Sequence, residues 1–143
     1  LDSGVIHSEF LPIVSEHRAF IAGGRLVDVD MYKGKYGTHP SLEVMENCMR
    51  AWKDAPVAYG LDFGVLDDGR TVLIEANDAY ALGSYGLNSY DYTKMLILRW
   101  KEIVGRKVFG STGLRGSVTV SSWALRLNAP LYNVKAGSRP AVF

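Results

Sequence analysis

The chain has 143 residues, 48% hydrophobic and 22% charged, the balance of a single soluble globular domain able to bury a core rather than of a disordered segment. A lone cysteine, Cys48, rules out an internal disulfide framework and a multi-cysteine zinc site, and no apolar run approaches the roughly 20 residues that span a bilayer. The net charge of +1 hides a contrast: residues 103–143 carry six basic groups and no acidic one, while the first 102 residues carry ten basic and all fifteen acidic groups. A soluble protein of the reducing cytoplasm is the simplest expectation, with no membrane association and no basic-then-apolar signal opening the chain.

In chain order, Val5 and Ile6 can begin a strand that reaches Glu9-Phe10-Leu11 before Pro12 breaks it. From Val14 to Asp30 a hairpin is expected around Gly23-Gly24, a favoured two-residue turn. That turn pairs Ala22 with Arg25 and Arg18 with Val29, and puts Glu16, Phe20, Val27, Val29 and Met31 on the face of Arg18. A guanidinium in such an apolar row needs an anion. Glu16 or Glu75 can supply it as an ion pair, or Arg18 can grip phosphate in a fork that lysine cannot match.

The segment Tyr32-Lys33-Gly34-Lys35-Tyr36-Gly37 reads as a basic, glycine-containing loop, either a solvated surface loop or one that reaches a phosphate. Thr38 or Ser41 can cap the following helix, expected over about Ser41 to Lys53, with Pro40 in its first turn. Leu42, Met45, Met49 and Trp52 recur at helical spacing as a core stripe, with Cys48 beside them as a buried small residue.

The stretch from Tyr59 to Asp78 reads as two strands around Asp68-Gly69, a type I′ turn signal. A two-residue turn there sets Asp67 against Arg70 and, counting outward, Asp62 against Glu75. Because side chains alternate across a strand, Asn77 shares the face of Glu75. Facing carboxylates repel, so Asp62, Glu75 and Asn77 together ask for a cation, and an all-oxygen set suits Mg²⁺ or Mn²⁺. The alternative is an ordinary solvated hairpin face.

After Asn77, Asp78 to Leu87 is rich in glycine and small residues, suited to close approach of backbone to a ligand. Ser89 can cap a second helix, expected to Ile103, with Tyr92, Leu96, Trp100 and Ile103 on one face. Beyond Gly105 the pattern fades, apart from a possible strand over Ser117 to Ala124. His7, His17 and His39 stand apart from one another and are not expected to bind metal. The fold class expected is α+β, an antiparallel sheet of two hairpins with two helices covering one face.

Taken together, these residues resemble the C-terminal half of an ATP-grasp domain, the nucleotide-binding unit of many ATP-dependent carboxylate–amine ligases. Ser8-Glu9-Phe10-Leu11 resembles the hinge that receives adenine, Glu16-His17-Arg18 before the Gly-Gly turn is similar to the next strand, and Tyr59 to Asn77 resembles the metal hairpin. Asp62 and Glu75, thirteen positions apart and followed by Ala76-Asn77, are the most specific part. The phrases Ser15-Glu16-His17-Arg18, Glu75-Ala76-Asn77-Asp78 and Leu82-Gly83-Ser84-Tyr85-Gly86-Leu87 look closest to a small branch of bacterial and phage ATP-grasp domains.

The resemblance implies Mg²⁺ (or Mn²⁺) on Asp62, Glu75 and Asn77 bridging ATP phosphates, Arg18 as the catalytic group on the transferred phosphoryl, and Glu9 and Leu11 at adenine. It implies a carboxylate substrate and an amine acceptor. The position two before Asp62, often basic in better-known ligases, is Gly60, so Lys33 or Lys35 would supply the phosphate contact. The expected division is a lobe over residues 1–104, lacking its upstream partner lobe, and a basic extension over 105–143. A non-catalytic protein-binding module of the same fold is the alternative. A nucleic-acid binder using the basic tail with Trp123 and Tyr132 is disfavoured because its charges are dispersed.

Overall fold

A computed structural model describes residues 10–109, and the expectations for Val5, Ile6 and Glu9, and for everything from residue 110 on, lie outside them. Strands β1 (Ile13–Ala22), β2 (Arg25–Gly34), β3 (Ala58–Leu66) and β4 (Thr71–Asp78) form one antiparallel sheet in the order β2-β1-β3-β4. Helix α1 (Leu42–Ala51) joins β2 to β3, and a short 3₁₀ turn (Ala79–Ala81) and a loop lead from β4 into α2 (Ser89–Phe109). The α+β class is as the sequence indicated. Phe10 to Pro12 pair with no strand, so β1 starts only after the proline.

The first turn forms as expected: Ala22 faces Arg25, with Gly23 and Gly24 both at positive φ (59° and 74°). The register beyond it does not. Between Phe20 and Ile21 the partner jumps from Asp28 to Leu26, leaving Val27 as an extra residue, so Arg18 faces Asp30 rather than Val29. A one-residue slip exchanges the two faces of a strand. Asp28 and Asp30 therefore share the face of Arg18, and Val29 joins the opposite core beside Ala19. A second irregularity, between Glu16 and His17, leaves Tyr32 as the extra residue of β2.

The second hairpin holds two departures that cancel. Its loop has three residues, Asp67 to Gly69, because the Leu66 amide donates to Arg70 O at 2.8 Å and Gly69 sits at φ +85°. Val65 accordingly faces Thr71 and Phe63 faces Leu73. A bulge at Ile74 then restores the count, and Asp62 faces Glu75 as the shorter turn would have had it.

The helices lie on opposite faces of the sheet, not on one. Met45 and Cys48 of α1 pack with Ala19, Ile21, Tyr59, Leu61, Phe63 and Leu73. Met95 of α2 packs with Phe20, Ala58, Ala79, Leu82 and Leu87, which belong to the other face. Alternation along β1 and β3 makes this necessary, since residues 19 and 21 cannot share a side with residue 20. Of the stripe expected on α1, Leu42 is 55% exposed; on α2, Trp100 is 65% exposed and Met95 takes the buried place.

Caps explain the helix starts. Ser41, not Thr38, caps α1, its Oγ accepting from the Val44 amide, while Thr38 donates to Ser15 Oγ and Lys35 O. Asn88 rather than Ser89 caps α2, accepting from the Asp91 amide at 3.0 Å and donating back to its carboxylate. Arg99 ties α2 to the end of β4 through Asp78, and Glu102 accepts from the Val57 amide. The helix runs through Gly105 to Phe109, past the division placed at residue 104.

Candidate functional site

The face shared by Arg18, Asp62 and Glu75 is where the sheet departs from apolar packing. Arg18 and Asp62 are direct partners on the two central strands. The guanidinium forks onto the carboxylate, Nε to Oδ1 at 2.7 Å and Nη2 to Oδ2 at 2.6 Å. Both are buried, with side chains 8% and 2% exposed. Glu75 Oε1 stands 3.8 Å from the same Nη2, with its side chain 43% exposed, and accepts from Asn77 Nδ2 at 2.8 Å. Asp62, Glu75 and Asn77 therefore converge with Arg18 among them.

The ion pair expected from Arg18 to Glu16 or Glu75 goes to Asp62 instead, because Glu16 is held by Lys33. Burial pushes Asp62 up, and the adjacent Glu75 adds to this, against the downward pull of Arg18. Burial opposes the charge of Arg18 too, but its bonds to Asp62 outweigh that and the net shift is upward. The fork is what lets two charges remain in the sheet.

Two tyrosines wall this cluster, and neither was singled out from the sequence. The bulge in β2 aims Tyr32 inward, where its hydroxyl donates to Glu16 at 3.1 Å and reaches Asp62 Oδ2 at 3.3 Å. Burial and the surrounding carboxylates hold that phenol well above its ordinary range. Tyr85, at φ +44°, lies with its ring centroid 4.4 Å from the Arg18 guanidinium carbon and 5.2 Å from the Tyr32 ring. Asp30 also escaped notice, hidden by the slip at Val27. Its buried Oδ2 has no hydrogen-bond partner among the described residues, and burial, then Asp28, pushes its carboxyl upward.

The remaining expected residues are more scattered. Lys33 is 69% exposed and bonded to Glu16 at the edge of the cluster. Lys35 is not part of it and lines a separate depression with Val14, Thr38, His39, Leu66 and Asp67. Leu11 is buried against Leu66 and Val72. Gly60 leaves no room for a side chain: a Cβ there would stand 2.9 Å from Leu82 Cδ1 and 3.6 Å from Arg18 Cδ.

Hard oxygens facing one another, one carboxylate open to solvent, suit a divalent cation that completes its shell with water or phosphate. Among the described residues no three His, Cys, Asp or Glu side chains converge as a ready-made cage. Asp62 can join such a cation only by giving up part of its bond to Arg18, so the guanidinium now fills the position between the carboxylates.

A sheet carrying this constellation is the metal-and-phosphate half of a nucleotide cleft, and the comparison with known families agrees. Residues 1–95 match an ATP-grasp domain family, the second family of its clade. The chain belongs to that family. Membership brings ATP binding and ligase-type activity at the level of the family, whose fold generally binds ATP with Mg²⁺ and whose ligases join carboxylates to amines. No curated protein matches the chain. Among the described residues no helix is long and apolar enough to cross a membrane.

Proposed function

We propose that this chain supplies the metal and phosphoryl-transfer half of a cytoplasmic ATP-dependent carboxylate–amine ligase. The observation that carries the reading is Asp62 opposite Glu75, with Arg18 forked between the strands. Asp62, Glu75 and Asn77 would hold Mg²⁺ or Mn²⁺, which when bound neutralises phosphate oxygens. Arg18 turns its guanidinium from Asp62 to the γ-phosphoryl group and stabilises its charge through transfer. A substrate carboxylate oxygen attacks the γ-phosphorus, giving an acyl phosphate and ADP. The acceptor amine then attacks the acyl carbon, phosphate departs, and the amine loses its proton. No strong base is needed for the first step, in keeping with a site built of acids and an arginine.

In this reading Glu9 and Leu11 meet adenine. Lys33, exposed beside the cluster, is better placed than Lys35 to reach phosphate. Calorimetric titration with a non-hydrolysable ATP analogue, with and without Mg²⁺, tests the assignment. Metal-dependent binding should weaken at least ~10-fold in Glu75→Gln, a loss of ~1.4 kcal/mol. Equal binding by parent and variant removes Glu75 from the site. Absence of binding even with an upstream lobe joined to the chain overturns the nucleotide reading.

A further inference from the structure

The face of the sheet that packs on α1 carries a feature unrelated to Arg18. Between the β1–β2 turn and the C-terminal half of α1 runs a half-open groove of about 630 Å³. Met49, Trp52 and Tyr59 line its depth, the two aromatic rings meeting edge to face at 4.9 Å, and Arg25, Arg50 and Lys53 stand along it. The one acidic residue lining it, Glu46, is already bonded to Arg50.

The state of these cations is informative. Arg18, Arg50, Arg70 and Arg99 each pair with a carboxylate. The side chains of Arg25 and Lys53 make no ion pair or hydrogen bond with any described residue, and both residues are exposed. This basic groove lies in a lobe whose first 102 residues carry fifteen acidic and ten basic groups. Locally reversed charge over an aromatic floor selects an anionic partner with an apolar element.

We infer that the groove docks an acidic polypeptide segment, its carboxylates meeting Arg25 and Lys53 and an apolar side chain resting on Trp52 and Tyr59. Small-molecule sites enclose their ligand and fix it with a few convergent polar groups. Here the cations extend from two separate walls, the start of β2 and the end of α1, which suits an extended chain laid between them. Residues 103–143 hold no acidic group and do not provide the segment.

Fluorescence anisotropy on the full chain tests this, with a labelled peptide of glutamates around a central phenylalanine, its lysine counterpart, and a glutamate peptide with serine in place of phenylalanine. The first should bind, weaken with salt, and lose at least ~10-fold in affinity to Arg25→Glu/Lys53→Glu. The lysine peptide should not bind, and the serine peptide should bind less well. Because both substituted side chains are exposed, the double variant should melt with the parent; if it does not, Arg25→Gln/Lys53→Gln replaces it. Equal binding by parent and variant, or no binding of the first peptide, overturns the inference. Displacement by inorganic phosphate together with indifference to phenylalanine overturns it in favour of a small-anion site. Glu75→Gln, on the opposite face, should bind the peptide as the parent does, so this result stands apart from that of the nucleotide titration.

Discussion

Asp62 and Glu75 face each other across two strands, yet their energetic roles differ because one is buried and the other half in water. Removing Asp62 strands the Arg18 guanidinium inside the sheet, so Asp62→Ala should cost about 3–5 kcal/mol in urea unfolding. Glu75→Gln should change stability by no more than about 1 kcal/mol. A second test at this scale concerns His17, which is 2% exposed and bonded through Nε2 to Ser15 Oγ at 3.0 Å. Burial, then His39, holds it below its ordinary value of 6.5. The unfolded chain takes up that proton first, so stability should be level above pH 6.5 and decline as pH falls below it. In His17→Gln that part of the profile should flatten in pH-dependent melting.

At the scale of the element, the irregularities of β2 decide what the site contains. The bulge at Val27 brings Asp28 and Asp30 to the Arg18 face, and the one at Tyr32 delivers a phenol to Asp62. Gly34 holds the far end of that hairpin. It sits at φ +106°, and a Cβ would lie 2.2 Å from Val14 O and 2.5 Å from Ser15 Cα, both backbone atoms that cannot step aside. Gly34→Ala should therefore cost at least about 2 kcal/mol. Faster hydrogen exchange at the Glu16 and Lys33 amides would locate the damage, whereas exchange unchanged there would refute this account.

Over the whole molecule, the sheet divides two apolar clusters, each with its own helix. Ile21 belongs to the α1 cluster and Leu87 to the α2 cluster. Ile21→Val should cost about 0.5–1.5 kcal/mol and Leu87→Ala about 2–5 kcal/mol. Their effects should add within about 0.5 kcal/mol in the double variant, since the backbone of the sheet separates them. Coupling well above that would show the two cores acting as one. The same division leaves the Arg18 cluster beside the α2 packing rather than under it, open at Glu75. Cys48, in the other cluster, has its thiol pushed up to about 11 by burial and takes no part in the site.

Much of this was legible in the chain itself. Glycine pairs and Asp-Gly announce hairpins because positive φ is a local demand, and the α+β class follows from two such hairpins alternating with helical stripes. Asp62, Glu75 and Asn77 were visible together because period-two alternation needs nothing but a register, although that register came out right only because the longer turn and the bulge at Ile74 cancel. Tertiary packing settled the bulges, the partner of Arg18 and the separation of the helices onto opposite faces. A bulge arises where the packing of both faces outweighs one regular ladder step, and no residue type at Val27 or Tyr32 signals it. The order of residues thus set which chemical groups the sheet carries, through local rules of turn and alternation, and the packing of distant segments set which of those groups meet.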